Sequence, residues 1–343
     1  MRKILNVQIL HTAKFFSDRG NWYSNEDIHK CLYGENWEKE MQNRSLDPDY
    51  YLKEHGFNKR YFVRSPGEKL TGKELTSADL MEGAALNLLN QSKVHKKEIN
   101  LVIAVSTTTH RYTTSLGAIV AGRLGLKCAS FEIKAGCSSA IYALFIASQF
   151  INSTGGKVLI VSAETLSKIA SGQFFYVAGD GGAAVLLGYA KNKSKGIYSY
   201  YLDSDGSYSD KMGVPGILPP TLEACSDHEY LFKTSGDINF FISSQWKKIP
   251  NVLYKLSGIE PKKIKALIPH QVNAKMIEVV RKSAKIKKDF IINKVGEYGN
   301  CGQVSILIAL HDAISEKNIQ ENDFIMLCAV GGGLAWGGMI LKY

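Results

Sequence analysis

Short apolar runs alternate with longer segments of helical periodicity from about residue 98 to the end of the chain. In the first half of this region, the apolar runs predict strands at 99–107, 128–133, 157–164 and 182–189. The helical patterns between them lie at 114–126 and 138–151. The segment 138–151 is apolar on nearly every side, so it predicts a helix that is buried within the fold.

The second half of the chain repeats this order of elements. Its helical patterns lie at 251–258, 272–284 and 302–315, and its predicted strands lie at 265–270, 289–294, 323–330 and 334–343. Two halves of similar pattern, residues 1–190 and 191–343, predict an α/β fold of five layers, α-β-α-β-α, with helices enclosed between sheets. The likeness between the halves lies in this pattern and not in residue identities.

Residues 11–60 have a different character, because they are polar and aromatic. They include Trp22, Trp37, Tyr50 and Tyr51 among many charged side chains. Two interpretations stay open. The segment forms surface helices, or it is a cap insertion over the mouth of a pocket.

The bulk composition narrows the class of protein. The chain has 343 residues, of which 45% are hydrophobic and 22% charged, which is enough apolar material for a large buried core. No stretch reaches the ~18–20 apolar residues that are needed to span a bilayer. The first apolar run is interrupted by Asn6, Gln8 and His11, and it predicts an opening β-strand instead of a signal peptide. We therefore expect a cytoplasmic protein that does not act in a membrane.

The cysteines do not form a recognisable metal or disulfide pattern. Six are present, at positions 31, 128, 137, 225, 301 and 328, with no CxxC pair and no histidine cluster beside them. Disulfides are not expected in a cytoplasmic protein of this size. The cysteines are therefore buried small residues, or one of them is reactive, and no metal site is expected.

The charge distribution leaves two interpretations open. The formal net charge is +10 and the pI is about 9.1, and the basic residues are concentrated between residues 255 and 288. The protein is a soluble basic protein, or it binds an acidic partner. No nucleic-acid-binding motif occurs, so nucleic acid is not the expected partner.

Cys137 is the first candidate for chemistry. It lies between a predicted strand and the apolar helix 138–151, with Ala135, Gly136 and Ser138 as small neighbours. Unpaired amides and the dipole at a helix N-terminus favour a thiolate, which is the nucleophilic form of cysteine. A packing role is the alternative for an isolated cysteine.

His270 and Asn300 occupy comparable positions in the second half. His270 ends the predicted strand 265–270, where its ordinary pKa suits proton transfer or hydrogen-bond donation, although a structural histidine is the alternative. Asn300 follows a glycine-containing turn ahead of the apolar helix 302–315, where a helix-capping role is the alternative.

Glycine-rich turns occur at 331–333 and 178–184. The turn 331–333 lacks GxGxxG spacing and a Walker lysine, so it does not predict a phosphate-binding loop. Its backbone amides could instead form an oxyanion hole. The turn 178–184 is interpreted as a tight structural turn.

Six motifs in this order resemble the β-ketoacyl-acyl carrier protein synthase III group of the thiolase superfamily. They are AGCSSA at 135–140, AGDGGAAVL at 178–186, SDGSY at 204–208, PHQVN at 269–273, GN at 299–300 and VGGGLAWG at 330–337. The resemblance implies the thiolase fold and a catalytic set of Cys137, His270 and Asn300. It also implies an oxyanion hole made by the amides of Cys137 and Gly332.

The resemblance further implies the reaction. Cys137 would carry an acyl group and join it to a malonyl-type thioester with loss of carbon dioxide, with no metal or organic cofactor. Acyl-CoA or acyl-carrier-protein thioesters would be the substrates. Thiolases that do not decarboxylate have a second catalytic cysteine, but Cys328 is one residue out of that register, so we expect it to be a packed residue.

Two departures from the family pattern bear on the starter substrate. Tyr50 and Glu54 stand where family members that use coenzyme A primers commonly have a tryptophan and an arginine, and the stretch 167–177 lacks the arginine often found there. Glu54 would repel a phosphate, which argues against ordinary acetyl-CoA priming. A specialised starter or a carrier-bound starter is the expectation.

The partners implied by the resemblance are an acidic acyl carrier protein and a second copy of the chain. Lys275, Arg281 and Lys282 are the expected carrier-docking cations. Tyr112 is expected to reach across a homodimer into the partner's pocket, and Asn273 to line its own pocket. Two alternatives remain, namely transfer of the acyl group to an alcohol or amine, and a non-catalytic subunit of a heterodimeric synthase.

Overall fold

The computed structural model describes residues 4–343. Its strands are β1 Val7–Phe15, β2 Asn21–Ser24, β3 Lys59–Phe62, β4 Ile99–Val105, β5 Ala129–Ile133, β6 Lys157–Glu164, β7 Gly181–Tyr189, β8 Gly196–Ser204, β9 Met212–Gly213, β10 Lys233–Thr234, β11 Ile264–Pro269, β12 Phe324–Gly331 and β13 Ala335–Lys342. Its α-helices are α1 Asn25–Tyr33, α2 Trp37–Asn43, α3 Tyr50–His55, α4 Ser77–Ser92, α5 Leu116–Arg123, α6 Ser139–Thr154, α7 Phe174–Val177, α8 Leu222–Ser226, α9 Asn239–Ser257, α10 Ala274–Ser283, α11 Val295–Tyr298 and α12 Val304–Ser315.

Two mixed sheets form the frame of the molecule. The first has five strands in the order β1-β7-β6-β4-β5, with β4 parallel to β5 and β6, and with β7 antiparallel to β6 and β1. The second has four strands in the order β11-β12-β13-β8, of which only the β11–β12 pair is parallel. The parallel strands of the first sheet are connected through α5 and α6, because parallel neighbours require a crossover.

Helices α6 and α12 lie between the two sheets. Ile141 and Leu144 of α6 and Leu307 of α12 share one core with Ile103 of β4 and Leu327 of β12. A helix that meets a sheet on each side buries side chains all round, which explains the nearly continuous apolar sequence of both helices. The buried helix predicted at 138–151 is confirmed.

The outer faces of the sheets are covered by further helices. Successive residues of a strand point to opposite faces, so Val102 lies in the outer core with residues of α4 and α5, while its neighbour Ile103 lies in the inner core. On the second sheet, α9 places Trp246 and Leu253 against the outer-facing Met326 of β12. The order of layers is therefore α-β-α-β-α, and the predicted α/β architecture is confirmed.

One predicted strand is wrong. Residues 289–294 form a 3-10 turn at Lys288–Phe290 followed by a single bridge between Ile291 and Leu267. The physical reason is the side chain of Gln271, whose Nε2 donates to the Ile292 carbonyl at 3.2 Å and whose Oε1 accepts from the Lys294 amide at 2.7 Å. The Gln271 side chain thus forms the hydrogen bonds that these two backbone groups would make with a neighbouring strand if the segment were itself a strand.

The polar segment near the N-terminus begins later than the sequence indicates. β1 extends to Phe15 within the first sheet, so the segment from the end of β1 to the end of β3 is residues 16–62, here called the cap. The cap contains α1, α2 and α3 together with the antiparallel pair β2–β3, and its place over a pocket mouth stays a prediction. Among the described residues, no helix is both long enough and apolar enough to cross a membrane.

Candidate active site

Cys137 lies in the short loop between β5 and α6. Side-chain hydroxyls hold this loop closed, since Ser139 Oγ accepts from the Ala135 amide at 2.6 Å and Ser138 Oγ donates to the Ala135 carbonyl at 2.7 Å. Gly136 adopts a positive φ of 54°, which allows the sharp turn before the helix. The loop therefore places the sulfur at the N-terminal end of α6.

The glycine-rich turn after β12 packs directly on this loop. A side chain at Gly331 would place its Cβ 2.1 Å from the Cys137 nitrogen, and one at Gly136 would lie 2.3 Å from the Gly332 carbonyl oxygen. Hydrogen bonds from the backbone at Cys137 and Gly332 lower the pKa of the Cys137 thiol, although less than burial raises it. The backbone of Gly331 and Gly332 therefore lies against Cys137, and the oxyanion hole stays a prediction.

The protonation state of Cys137 differs from the sequence-based expectation. Burial, with a further contribution from the charge of Glu164, raises the pKa of the Cys137 thiol to about 12, and the two amides offset only part of this rise. The thiol, and not the thiolate, is therefore the resting form. The helix-dipole argument was incomplete because it left out burial of the thiol, which has the larger effect, and the nearby carboxylate of Glu164.

His270 follows β11 and is nearly inaccessible to solvent. Its backbone amide donates to the Cys328 carbonyl at 2.8 Å, and its Nδ1 lies 2.9 Å from Ser305 Oγ. Ser305 Oγ already accepts from the Gln271 amide at 3.1 Å, so its own proton can go to Nδ1. That arrangement favours a ring proton on Nε2. Burial lowers the pKa of His270 to about 4, so the imidazole is neutral at neutral pH.

Asn300 is held at both ends of its backbone by the segment after α7. Its amide donates to the Val177 carbonyl at 2.8 Å, and its carbonyl accepts from Gly179 at 3.0 Å. The side-chain Oδ1 accepts from the Gly302 amide at 2.9 Å, which leaves the NH2 group as the available donor. Asn300 does not cap α12, which begins four residues later.

Gly302 links these residues to one another. Its amide donates to the Asn300 side chain, and its carbonyl lies beside the His270 ring. Its φ is +56°, and its Cα lies so close to Glu164 that a Cβ would be 3.0 Å from the Glu164 Cγ. The Cys328 carbonyl that pairs with His270 lies three residues before Gly331, which contacts Cys137. These contacts connect the backbone segments that carry Cys137, His270 and Asn300, and the joint role of the three side chains in catalysis stays a prediction.

Glu164 is a site-region residue that sequence analysis missed. It ends β6, is fully buried, and accepts hydrogen bonds from the Thr107 amide and hydroxyl, both at 2.7 Å, and from the Thr108 hydroxyl. Burial raises the pKa of its carboxyl group. In the sequence, Glu164 is marked only as a carboxylate at the end of an apolar run. That pattern is typical of the end of any strand, so it does not by itself indicate a functional residue.

Tyr112, Asn273 and Cys328 are the other uncharged residues that the sequence singled out. Tyr112 is 65% exposed on the loop between β4 and α5. Asn273 is the N-cap of α10, where its Oδ1 accepts from the Met276 amide at 2.8 Å. Cys328 is buried in the outer core beside α9, as expected for a packed residue.

The three expected docking cations each have a carboxylate nearby. Lys275 forms an ion pair with Glu54, and Arg281 forms a bidentate pair with Glu278 at 2.6 and 2.7 Å. Lys282 lies 3.8 Å from the same Glu278. The positive surface of α10 is therefore smaller than the sequence indicates. Within residues 4–343, no group of three or more His, Cys, Asp or Glu side chains is arranged to hold a metal ion.

Comparison with known families gives two matches on this chain. Residues 131–206, which include Cys137, match the profile of 3-oxoacyl-[acyl-carrier-protein] synthase III. Residues 255–343, which include His270, Asn300 and Gly332, match the profile of the C-terminal part of the same enzyme.

Individual proteins show the same similarity over most of the chain. The beta-ketoacyl-[acyl-carrier-protein] synthase III of Thioalkalivibrio sulfidiphilus is 30% identical over 89% of this chain and 96% of its own. The protein of that name from Clostridium perfringens strain SM101 is 33% identical over 78% of this chain and 84% of its own. The crystal structure of 3-oxoacyl-[acyl-carrier-protein] synthase III from Aquifex aeolicus superposes with a TM-score of 0.82 and 25% identity, covering 98% of this chain and 100% of that chain.

Proposed function

Because the chain belongs to the β-ketoacyl-acyl carrier protein synthase III family, a group of thiolase-fold condensing enzymes, we propose that it joins a Cys137-bound acyl group to a malonyl-type thioester. The product is a β-ketoacyl thioester, and the extender is carried by an acyl carrier protein. The observation that carries the proposal is the close packing of the Gly331–Gly332 backbone on the loop that holds Cys137, where a Cβ at Gly331 would lie 2.1 Å from the Cys137 nitrogen.

Acylation of Cys137 is the first step. The sulfur attacks the thioester carbonyl, the bond to the departing thiol breaks, and the proton of Cys137 passes to that departing sulfur. The developing oxyanion accepts hydrogen bonds from the amides of Cys137 and Gly332. One such donor contributes about 3–4 kcal/mol to transition-state stabilisation. Because the resting thiol is protonated, acylation includes the cost of removing that proton.

Condensation is the second step. The malonyl-type thioester loses carbon dioxide, and negative charge develops on its thioester oxygen as the enolate forms. The NH2 group of Asn300 and the Nε2–H of neutral His270 donate to that oxygen. The enolate carbon then attacks the acyl carbonyl on Cys137, the carbon–sulfur bond breaks, and the sulfur leaves as a thiolate that takes up one proton from water. The substrates supply every bond that forms or breaks, so we propose that no metal or organic cofactor takes part.

The partner assignments follow the same argument. We propose a homodimer in which the exposed Tyr112 of one copy reaches the pocket of the other. For the starter group, Tyr50 and Glu54 favour a specialised or carrier-bound thioester over acetyl-CoA.

Intact-protein mass spectrometry tests the proposal. Wild type and Cys137→Ala are incubated with a panel of acyl-CoA and acyl-carrier thioesters, and only wild type is expected to gain the mass of an acyl group. A malonyl thioester is then added, and release of carbon dioxide is measured. Acyl transfer to an alcohol or amine without that release would support an acyltransferase instead. Absence of acylation by every donor would indicate a non-catalytic subunit.

A further inference from the structure

Three side chains form a closed set of hydrogen bonds beside the turn that carries Asn300. Lys14 of β1 donates to one carboxylate oxygen of Asp312 in α12, and it also donates to the hydroxyl of Tyr298 at 2.7 Å. That hydroxyl, at the end of α11, donates to the second oxygen of Asp312 at 2.8 Å. Each of the three groups is thus bonded to the other two. We call this set the polar triangle.

The polar triangle is largely shielded from water. The Asp312 side chain is 3% exposed and the Lys14 side chain 29%, and the Tyr298 ring stacks on Phe16 with the ring centres 5.2 Å apart. Burial, followed by the bond to Asp312, raises the pKa of Tyr298, so its hydroxyl keeps the proton that it donates. Because charged hydrogen bonds are strong where water is excluded, the triangle holds the Tyr298 side chain in one position.

The backbone of Tyr298 is tied to the surroundings of Asn300. The Tyr298 carbonyl accepts from the Cys301 thiol at 3.2 Å, and it lies so close to Gly179 that a Cβ there would be 2.0 Å from the oxygen. Gly179 itself donates to the Asn300 carbonyl at 3.0 Å. Only Gly299 separates Tyr298 from Asn300 in the chain. A displacement of Tyr298 would therefore reach Asn300 both along the chain and through Gly179.

We propose that the polar triangle orients Asn300 for the condensation step. This inference rests on the proposed function, in which Asn300 donates to the enolate oxygen but takes no part in acylation of Cys137. Lys14, Asp312 and Tyr298 are therefore positioning residues, since their polar groups bond to one another and act through the backbone of Asn300. Loosening the triangle should slow decarboxylation and leave acylation unchanged.

The test measures the two steps separately in wild type and Tyr298→Phe. This variant removes one oxygen and keeps the ring that stacks on Phe16. Cys137 is first acylated with the member of the acyl-CoA and acyl-carrier panel that reacts fastest with wild type, and the rate of mass gain is measured. Malonyl-acyl carrier protein is then added to the acylated enzyme, and the rate of carbon dioxide release is measured.

The two steps are expected to respond differently. Tyr298→Phe should be acylated at the wild-type rate, but it should release carbon dioxide about tenfold more slowly, because small displacements of a catalytic group are costly. The loss should lie in kcat and not in the KM for malonyl-acyl carrier protein, since the enolate charge develops only as the transition state forms. A variant that was merely less stable would lose both steps together.

Thr12→Val is the matched control. Thr12 Oγ1 lies 3.0 Å from His311 Nδ1, so this variant removes a side-chain hydrogen bond between the same two elements, β1 and α12, and leaves the polar triangle intact. It should leave both rates unchanged. Lys14→Met should repeat the effect of Tyr298→Phe. The double variant should lose less than the product of the two single losses, because groups in one hydrogen-bond network are not independent.

Three outcomes overturn the inference. They are equal slowing of acylation and carbon dioxide release in Tyr298→Phe, no slowing of carbon dioxide release in that variant, and an equal loss in Thr12→Val. Wild type separates these outcomes from failure of the proposed function. If wild type gains no acyl mass from any donor, or releases no carbon dioxide once acylated, the proposed function is wrong and the inference fails with it.

Discussion

At the scale of single residues, a partly buried thiol beside a fully buried carboxylate has the largest effect on chemistry. Cys137 and Glu164 interact, and the negative charge of Glu164 adds to the effect of burial in raising the pKa of Cys137 to about 12. Sequence analysis predicted Cys137, His270 and Asn300 from motifs. It could not predict the protonation state of Cys137, because burial of the sulfur and the approach of Glu164 from a separate strand both result from tertiary packing.

Removing the charge of Glu164 tests this interaction. In Glu164→Gln the thiolate no longer faces a neighbouring anion, so the Cys137 pKa should fall and alkylation by iodoacetamide should become faster at a given pH. The measurement is the alkylation rate as a function of pH, whose midpoint should move to lower pH. Circular dichroism of the variant checks that the fold is retained. An unchanged midpoint in a folded variant would contradict an electrostatic role.

His270 predicts a pH dependence of stability. Burial lowers its pKa from 6.5 to about 4, so below pH 6.5 the unfolded state binds a proton that the folded state rejects. The free energy of unfolding should therefore fall as the pH drops from about 6.5 to 4, by up to about 3 kcal/mol from this group. Urea titrations of wild type and His270→Asn at both pH values give the difference. An equal loss in both proteins would contradict the assignment.

At the scale of elements, the hydrophobic pattern predicted most strands and helices of the two sheets. Continuous apolar runs identified β4, β6, β7 and β12, because strands covered on both faces have no polar alternation. The failure at 289–294 has a local cause. The side chain of Gln271 binds the backbone of Ile292 and Lys294, and hydrophobic periodicity carries no information about such a bond.

Replacing Gln271 by leucine tests that explanation. The change leaves the buried carbonyl of Ile292 and the amide of Lys294 without their side-chain partner. Each unsatisfied group costs about 1–3 kcal/mol, so the free energy of unfolding should drop by several kcal/mol. Gln91→Leu is the matched control, since Gln91 is exposed at the end of α4 and should change stability little. Equal effects of the two substitutions in chemical denaturation would argue against the role of Gln271.

At the scale of the whole molecule, contacts between the two halves of the chain bring together the segments that carry the predicted site residues. Cys137 comes from the loop before α6, whereas His270, Asn300 and Gly332 come from the second half. Because α6 and α12 share one core between the sheets, the two halves are held in fixed relation at the site. The repeated pattern predicted two halves. The contacts between Gly331 and Cys137 depend on interlocking backbones, which periodicity does not encode.

The exposed position of Tyr112 leads to a prediction about the oligomeric state and about a pocket shared between subunits. If Tyr112 completes the partner's pocket, a homodimer of twice 37.9 kDa should elute in light-scattering chromatography. Tyr112→Asp and Cys137→Ala should each be inactive alone. Mixed after dissociation and reassembly, they should regain activity, because one site of each hybrid combines an intact Cys137 with an intact partner tyrosine.

When the two variants pair at random, about half of the dimers are hybrids, and each hybrid has one complete site out of two. About a quarter of all sites should therefore be active, and the expected activity is about a quarter of that of wild type. The hybrid must form for this result to count, and two affinity tags of different kinds, one on each variant, report its formation directly. Full activity of Tyr112→Asp by itself would show that the tyrosine is not part of the pocket. Hybrids that form without regaining activity would show that Tyr112 acts within its own subunit, because the intact Tyr112 and the intact Cys137 of a hybrid then lie in different sites.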